Sequence, residues 1–179
     1  MYRSKIDIFA TVFAFIVFSL LPSTANSADD VYQSPAKFLE EIFDGDVPDP
    51  KAIWFDASLR KEIKKIMGHN YPGIRLRYWP REQQTAWILE EIGKYKPITV
   101  GFFISAGSIK LVKVLVYRES HGWEVRYPFF TKQFKDLRLD PDQNLTRSID
   151  GISGATLSVN ALTRLARLAL YLHKISLSQ

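Results

Sequence analysis

Between Gly73 and Glu119 the chain abandons helical spacing for strand spacing, and this constrains the fold more than any other feature. "GIRLRYW" alternates apolar and polar residues. "TAWILEEI", "ITVGFFIS" and "IKLVKVLVYRE" follow, rich in β-branched and aromatic side chains. The last three runs are separated only by "GKYKP" and "AGS", which have turn composition. Neighbouring strands joined by loops this short pair antiparallel, because a parallel return needs a long crossover. The pattern predicts an antiparallel meander.

Helical spacing brackets these strands. Ser34-Pro35 reads as an N-cap with proline in the first turn, and Phe38, Leu39, Ile42 and Phe43 then share one face. "DGDVPDP" ends that helix. A second helix is expected from about Ser58 to Met67, with Leu59, Ile63, Ile66 and Met67 as its stripe and Gly68 at its end. "FFTKQFKDLRL" fits a short helix or a loop. The final run, "LSVNALTRLARLALYLHKI", places Val159, Leu162, Leu165, Ala166, Ala169 and Leu170 on one side, and Arg164, Arg167 and Lys174 mainly on the other. Helices, a run of strands and a closing amphipathic helix define an α+β fold.

Composition narrows the chemistry. The chain has 179 residues and no cysteine, so disulfides, thiolate metal sites, iron–sulfur clusters and c-type haem attachment are excluded. The net charge of +5 is spread among acids without a Lys/Arg block, which argues against a nucleic-acid partner. At the N-terminus, "MYRSK" precedes the apolar run Ile8 to Leu21, then Pro22 and "STANS". Ala25 and Ser27 suit cleavage before Ala28, so residues 1–27 read as a signal peptide. The alternative is a retained anchor, although the run is shorter than the roughly 20 residues of a spanning helix. Either reading exports the folded part, to the periplasm or the extracytoplasmic face of the membrane.

The stretch "SIDGISGATLSVNAL" stands at the start of the last helix. Ser153 is a candidate N-cap, with Gly154 and Ala155 small for packing. The same residues also suit an anion: a helix start presents backbone N–H groups and a positive dipole end, and small residues let a ligand approach. There is no G-x-G-x-x-G and no G-x-x-x-x-G-K, so a dinucleotide or triphosphate site has no support.

"DGISGAT" resembles the D-x-x-S-G-A-T signature of the FMN-binding domain family, which includes the flavin-carrying extracytoplasmic subunits of sodium-translocating NADH:quinone reductase and of the Rnf complex. "KPITVGFFISAGSIKLVKVLVYRESHGWEV" is similar to the family's strand–turn–strand segment ending in Glu-Ser/Thr-x-Gly, and "FFTKQF" to the stretch that follows it. The similarity covers roughly Ile88 to Leu172. Where the respiratory subunits commonly have Pro-Gly-Leu-Gly, this chain has "HGWE". The resemblance divides the chain into the signal peptide, an N-terminal helical region with a first strand (28–84), and the FMN-binding domain (85–179).

The resemblance implies FMN joined through its phosphate to Thr156 by a separate FAD:protein FMN transferase. Ser153, Gly154, Ala155 and Leu157 accompany the attachment residue. Asp150 reads as a transferase-recognition or loop-ordering residue, since an acid beside a phosphate is electrostatically awkward. Glu119, Ser120, Gly122 and Trp123 come from the second segment, with Trp123 a candidate wall for the flavin ring or a core residue. The implied function is an exported electron carrier whose donor and acceptor are membrane or periplasmic redox proteins, more a subunit of electron transport than a stand-alone enzyme. The alternative is a noncovalent FMN or phosphate-ligand binding module of the envelope. Trp54, Trp79 and Trp87 are expected in the core, and Glu40–Glu41 and Glu90–Glu91 in solvent. His69, His121 and His173 show no metal-ligand spacing, and His121 is expected at the surface, with approach to the flavin as the alternative.

Overall fold

The computed structural model describes residues 30–178. Signal and anchor readings of the N-terminus lie outside those residues. The elements are β1 (Asp30–Val31), α1 (Pro35–Ile42), β2 (Lys51–Trp54), α2 (Ala57–Met67), β3 (Arg75–Arg81), β4 (Gln84–Ile92), β5 (Pro97–Ser105), β6 (Ser108–Tyr117), α3 (Pro128–Thr131) and α4 (Thr156–Ser176). Short 3-10 turns flank α3 at Trp123–Arg126 and Lys132–Phe134.

One six-stranded sheet runs in the order β1-β6-β5-β4-β3-β2, and every neighbouring pair is antiparallel. The expected meander is present. It gains β2 beyond β3, and β1 returns from the chain's start to cover the β6 edge. Neither was visible in the sequence, because two and four residues give too few alternations to read.

Alternation along each strand sorts the core into two layers. Trp87, Leu89, Ile98, Val100, Phe102, Ile104, Val112 and Val114 face α2 and α4. Ala86, Leu115 and Val116 face α1, which inserts Phe38, Leu39 and Phe43. Gly101 admits the Phe38 ring, since a Cβ there would lie 2.7 Å from it. Helix starts follow capping chemistry. Ser34 accepts the Lys37 N–H, and Asp56 accepts the Leu59 N–H at 2.7 Å, so α2 begins one residue before Ser58.

The structure corrects two burial expectations. Trp87 is in the core and Trp79 is half-buried against the α1 layer, but Trp54 is 60% exposed on edge strand β2, where the Arg75 guanidinium stacks on it at 5.0 Å. The stacked cation shields an indole that strand alternation turns outward. Glu91 is not solvated: its side chain is 4% exposed and holds His69 at 3.0 Å and Arg164 at 3.1 Å. A buried carboxylate needs such partners. The polar side of α4 is likewise occupied, with Arg164 on Glu91 and Arg167 donating to the Gln143 carbonyl. No helix among the described residues is long and apolar enough to cross a membrane.

Candidate functional site

The start of α4 is built without a side-chain cap. Ala155, not Ser153, is its N-cap residue, and no side chain accepts from the first turn. The backbone turns at Ile152–Ala155, where the Ala155 N–H donates to the Ile152 carbonyl at 3.0 Å. Gly154 takes the third position of this turn with a φ of 82°, a left-handed conformation that glycine adopts without strain. Ser153 is carried to the exposed outer side of the turn, too far back to cap the helix. Ala155 is buried, while Thr156 and Leu157 are exposed. The N-terminal turn of a 21-residue helix therefore reaches solvent with its donors uncapped and a threonine hydroxyl beside them.

A second segment packs against this turn. After β6 the chain passes through Arg118 to Gly122 and comes so close to α4 that a Cβ on Gly122 would lie 2.9 Å from Ser158 Oγ, 3.0 Å from the Tyr117 hydroxyl and 3.3 Å from Ala155 Cβ. Gly122 also has a φ of 84°. Both space and conformation demand glycine here. The Tyr117 hydroxyl donates to the His121 carbonyl, and Ser158 Oγ, 2.9 Å away, is then placed to donate to the tyrosine oxygen. Burial pushes the Tyr117 pKa up, which keeps the hydroxyl protonated as this bond requires.

Glu119 ties in a third segment, the β4–β5 turn. Its Oε1 accepts the backbone N–H groups of Lys94, Tyr95 (2.6 Å) and Lys96 (2.9 Å). Burial raises the Glu119 pKa, but the three donors and the Lys96 charge outweigh it and hold the carboxyl below its ordinary value. The carboxylate faces the turn's main chain. It serves as a brace for the turn rather than a ligand for an anion.

These three segments enclose a groove of about 330 Å³, lined by Lys94, Tyr95, Glu119, Ser120, His121 and Gly154 through Ser158. The Lys94 ammonium lies 4.8 Å from the Tyr95 ring centroid. A cation, an uncapped helix start and hydroxyls at Ser120 and Thr156 suit a phosphate. The exposed faces of Tyr95 and Leu157 suit a flat apolar body. The residues present fit a nucleotide that carries both.

Most of the residues singled out in the sequence meet here. Glu119, Ser120, Gly154, Ala155, Thr156 and Leu157 line the groove, and Gly122 sits behind it. Ser153 and Trp123 do not line it. Trp123 is 40% exposed, meeting Tyr127 edge-on at 5.6 Å, so core burial is also corrected. Asp150 is exposed; its main chain is clamped by the Gln133 amide, which accepts the Asp150 N–H at 2.8 Å. "FFTKQF" thus acts on the motif through Gln133. His121 is exposed, as expected, and lines the groove. Sequence reasoning missed Lys94 and Tyr95, whose turn composition concealed that the turn reaches the motif, and Ser158, which looked like ordinary helix.

A larger cavity of about 610 Å³ lies at the opposite end of α4, lined by Arg138, Leu170, His173 and Lys174 among others. It touches none of these segments. Among the described residues there is no group of three or more His, Asp or Glu side chains that could hold a metal.

Residues 93–171 match a family model described as the FMN-binding domain. The match begins at the β4–β5 turn and ends within α4, so it contains every residue that lines the groove. No curated protein and no solved structure matches the chain.

Proposed function

From the match of residues 93–171 to the FMN-binding domain family we propose that the protein is an exported electron carrier with FMN held on Thr156 through its phosphate. The observation that carries this reading is the position of Thr156. It is the first residue of an uncapped helix and lines the groove formed with the Glu119–His121 loop.

Attachment joins Thr156 Oγ1 to the phosphorus of the FMN moiety of FAD, breaks the pyrophosphate bond, releases AMP and frees the hydroxyl proton. An FAD:protein FMN transferase is the class of enzyme required. Bound FMN supplies the redox chemistry; the chain supplies attachment, orientation and charge. The α4 start offers donors and a positive dipole end to the remaining phosphate charge. Lys94 adds a cation to the groove lining. The Asp150 carboxylate is outside the groove lining, and that of Glu119, which lines it, is engaged by the Lys94–Lys96 N–H groups. A covalent tether keeps the cofactor at high effective concentration in a compartment where a dissociated one would be diluted away. Membrane or periplasmic redox proteins would be its donor and acceptor.

The test is the intact mass of the denatured protein after co-expression with a flavin transferase. The expected result is a gain of one FMN less one water, mapped to Thr156 by peptide sequencing. Thr156→Ala is expected to lose the adduct completely and remain folded. Flavin that co-purifies with the native protein but leaves on denaturation would support a noncovalent binding module instead.

A further inference from the structure

The first described residues lie beside the groove. β1 pairs Asp30 with Tyr117 and Val31 with Val116, pinning the chain's start to the end of β6, two residues before Glu119. Tyr32 follows directly, with the Arg126 guanidinium 4.2 Å from its ring centroid. Arg126 also lies over Trp123 at 5.2 Å and Tyr127 at 4.9 Å. Phe129 continues the group, 6.3 Å from Tyr127. Trp123, Tyr127 and Phe129 are 40%, 38% and 62% exposed. Contiguous large aromatics in solvent mark a surface that something covers.

The sequence upstream says what is within reach. Residues 22–29 join the apolar run Ile8–Leu21 to Asp30, and eight residues extend at most about 28 Å. The aromatic face therefore sits at the point where that run enters the fold. We propose that this face rests on a lipid bilayer, with Ile8–Leu21 retained as the anchor. Trp and Tyr favour the interface, where an apolar ring meets water and headgroups, and an Arg among them keeps its charge in the polar layer. An apolar run shorter than the roughly 20 residues of a spanning helix gains from a second membrane contact, as short anchors do. The exposed rings of Trp123, Tyr127 and Phe129 make this seating apolar rather than dependent on anionic lipid. The seat does not depend on flavin; taken with the proposed function, it sets the groove beside the membrane, where lipid-borne redox partners are held.

Tryptophan quenching by lipid bromine tests this on the full chain, produced without transferase so that flavin does not quench. Residues 1–29 contain no tryptophan, so the signal reports only the folded part. Trp54, exposed on β2 at the opposite edge of the sheet from β1, is the internal control. The protein is incorporated into phosphatidylcholine vesicles with and without dibrominated acyl chains. The emission removed by Trp123→Phe is expected to fall about twofold or more in brominated vesicles, as for an interfacial indole, and that removed by Trp54→Phe to stay unchanged. Phe129→Ser, at a position already in solvent, is expected to relieve the quenching. Equal Trp123 emission in both vesicle types overturns the proposal and leaves the face to water or a protein partner. So does a chain that fails to float with the vesicles. The attachment reading fails separately, on the mass of the adduct.

Discussion

The two ends of α4 handle polar groups in opposite ways. At the C-terminal end His173 is 1% exposed and every partner is spoken for. Gly107 N–H donates to Nε2 at 3.1 Å, so the neutral ring carries its proton on Nδ1 and donates to Thr85 Oγ1 at 2.7 Å, which also accepts from Trp87 Nε1. The network is closed and stabilises the fold. At the N-terminal end the helix donors have no side-chain cap, Thr156 is exposed, and the surrounding bonds organise the main chain around an open groove. A large cavity adjoins the closed end and a smaller groove the open one. Size alone would favour the closed end; uncapped helix donors favour the open one for an anionic ligand.

The contrast is sharpest at two glycines of the open end. Gly122→Val forces a side chain into Ser158, Tyr117 and Ala155 at a left-handed φ, and is expected to cost about 3 to 4 kcal/mol, read by urea unfolding. Gly154→Ala has the same sign of φ and nothing within 4 Å, so its cost should be the conformational about 1 kcal/mol. Equal losses would show that the close approach of the loop to α4 contributes nothing.

Acid attacks the closed end. Burial lowers the His173 pKa from 6.5 to about 4. The unfolded chain therefore takes up this proton first as the pH falls. The stabilisation is complete above pH 6.5 and drains away toward pH 4, for a total of about 3 kcal/mol. Unfolding followed over that range should show the loss in the native protein and not in His173→Gln, beyond the carboxylate titration common to both. Parallel profiles would refute the closed network.

Glu119→Gln probes the brace. It replaces a charge-assisted acceptor of three N–H groups with a weaker one and should cost about 1 to 2 kcal/mol at neutral pH. Because the carboxyl is held below its ordinary value, the difference should shrink as acid protonates it. Flavin loading of the variant is expected to fall less than stability does, because Thr156 is untouched. Complete loss of loading would make Glu119 part of the attachment chemistry.

Much of this was legible in the residues. Strand alternation, short turns and the apolar stripe of α4 gave the meander and its covering helix, and the "SGAT" stretch marked the helix start that lines the groove. The illegible parts were those made by contact between distant segments. Nothing near Lys94 or Tyr95 in sequence says that Glu119, more than twenty residues later, gathers their N–H groups. Glu91 looked like one of a solvated pair because its partners, His69 and Arg164, lie on other elements. Ser153 was a sound N-cap by composition; the turn at Ile152–Ala155 simply starts the helix later.

The return of β1 to the β6 edge has a consequence for the order in which the molecule is completed. The first strand waits for a partner more than eighty residues downstream, and the groove waits longer still, until α4 docks. Such nonlocal pairing is slow, because the intervening chain must be gathered before contact rewards it. A chain emerging N-terminus first can assemble α1, α2 and the central hairpins as they appear, yet has no groove until its last helix is complete. The groove is thus a checkpoint of completeness: truncated or stalled chains present Thr156 without its groove, or not at all.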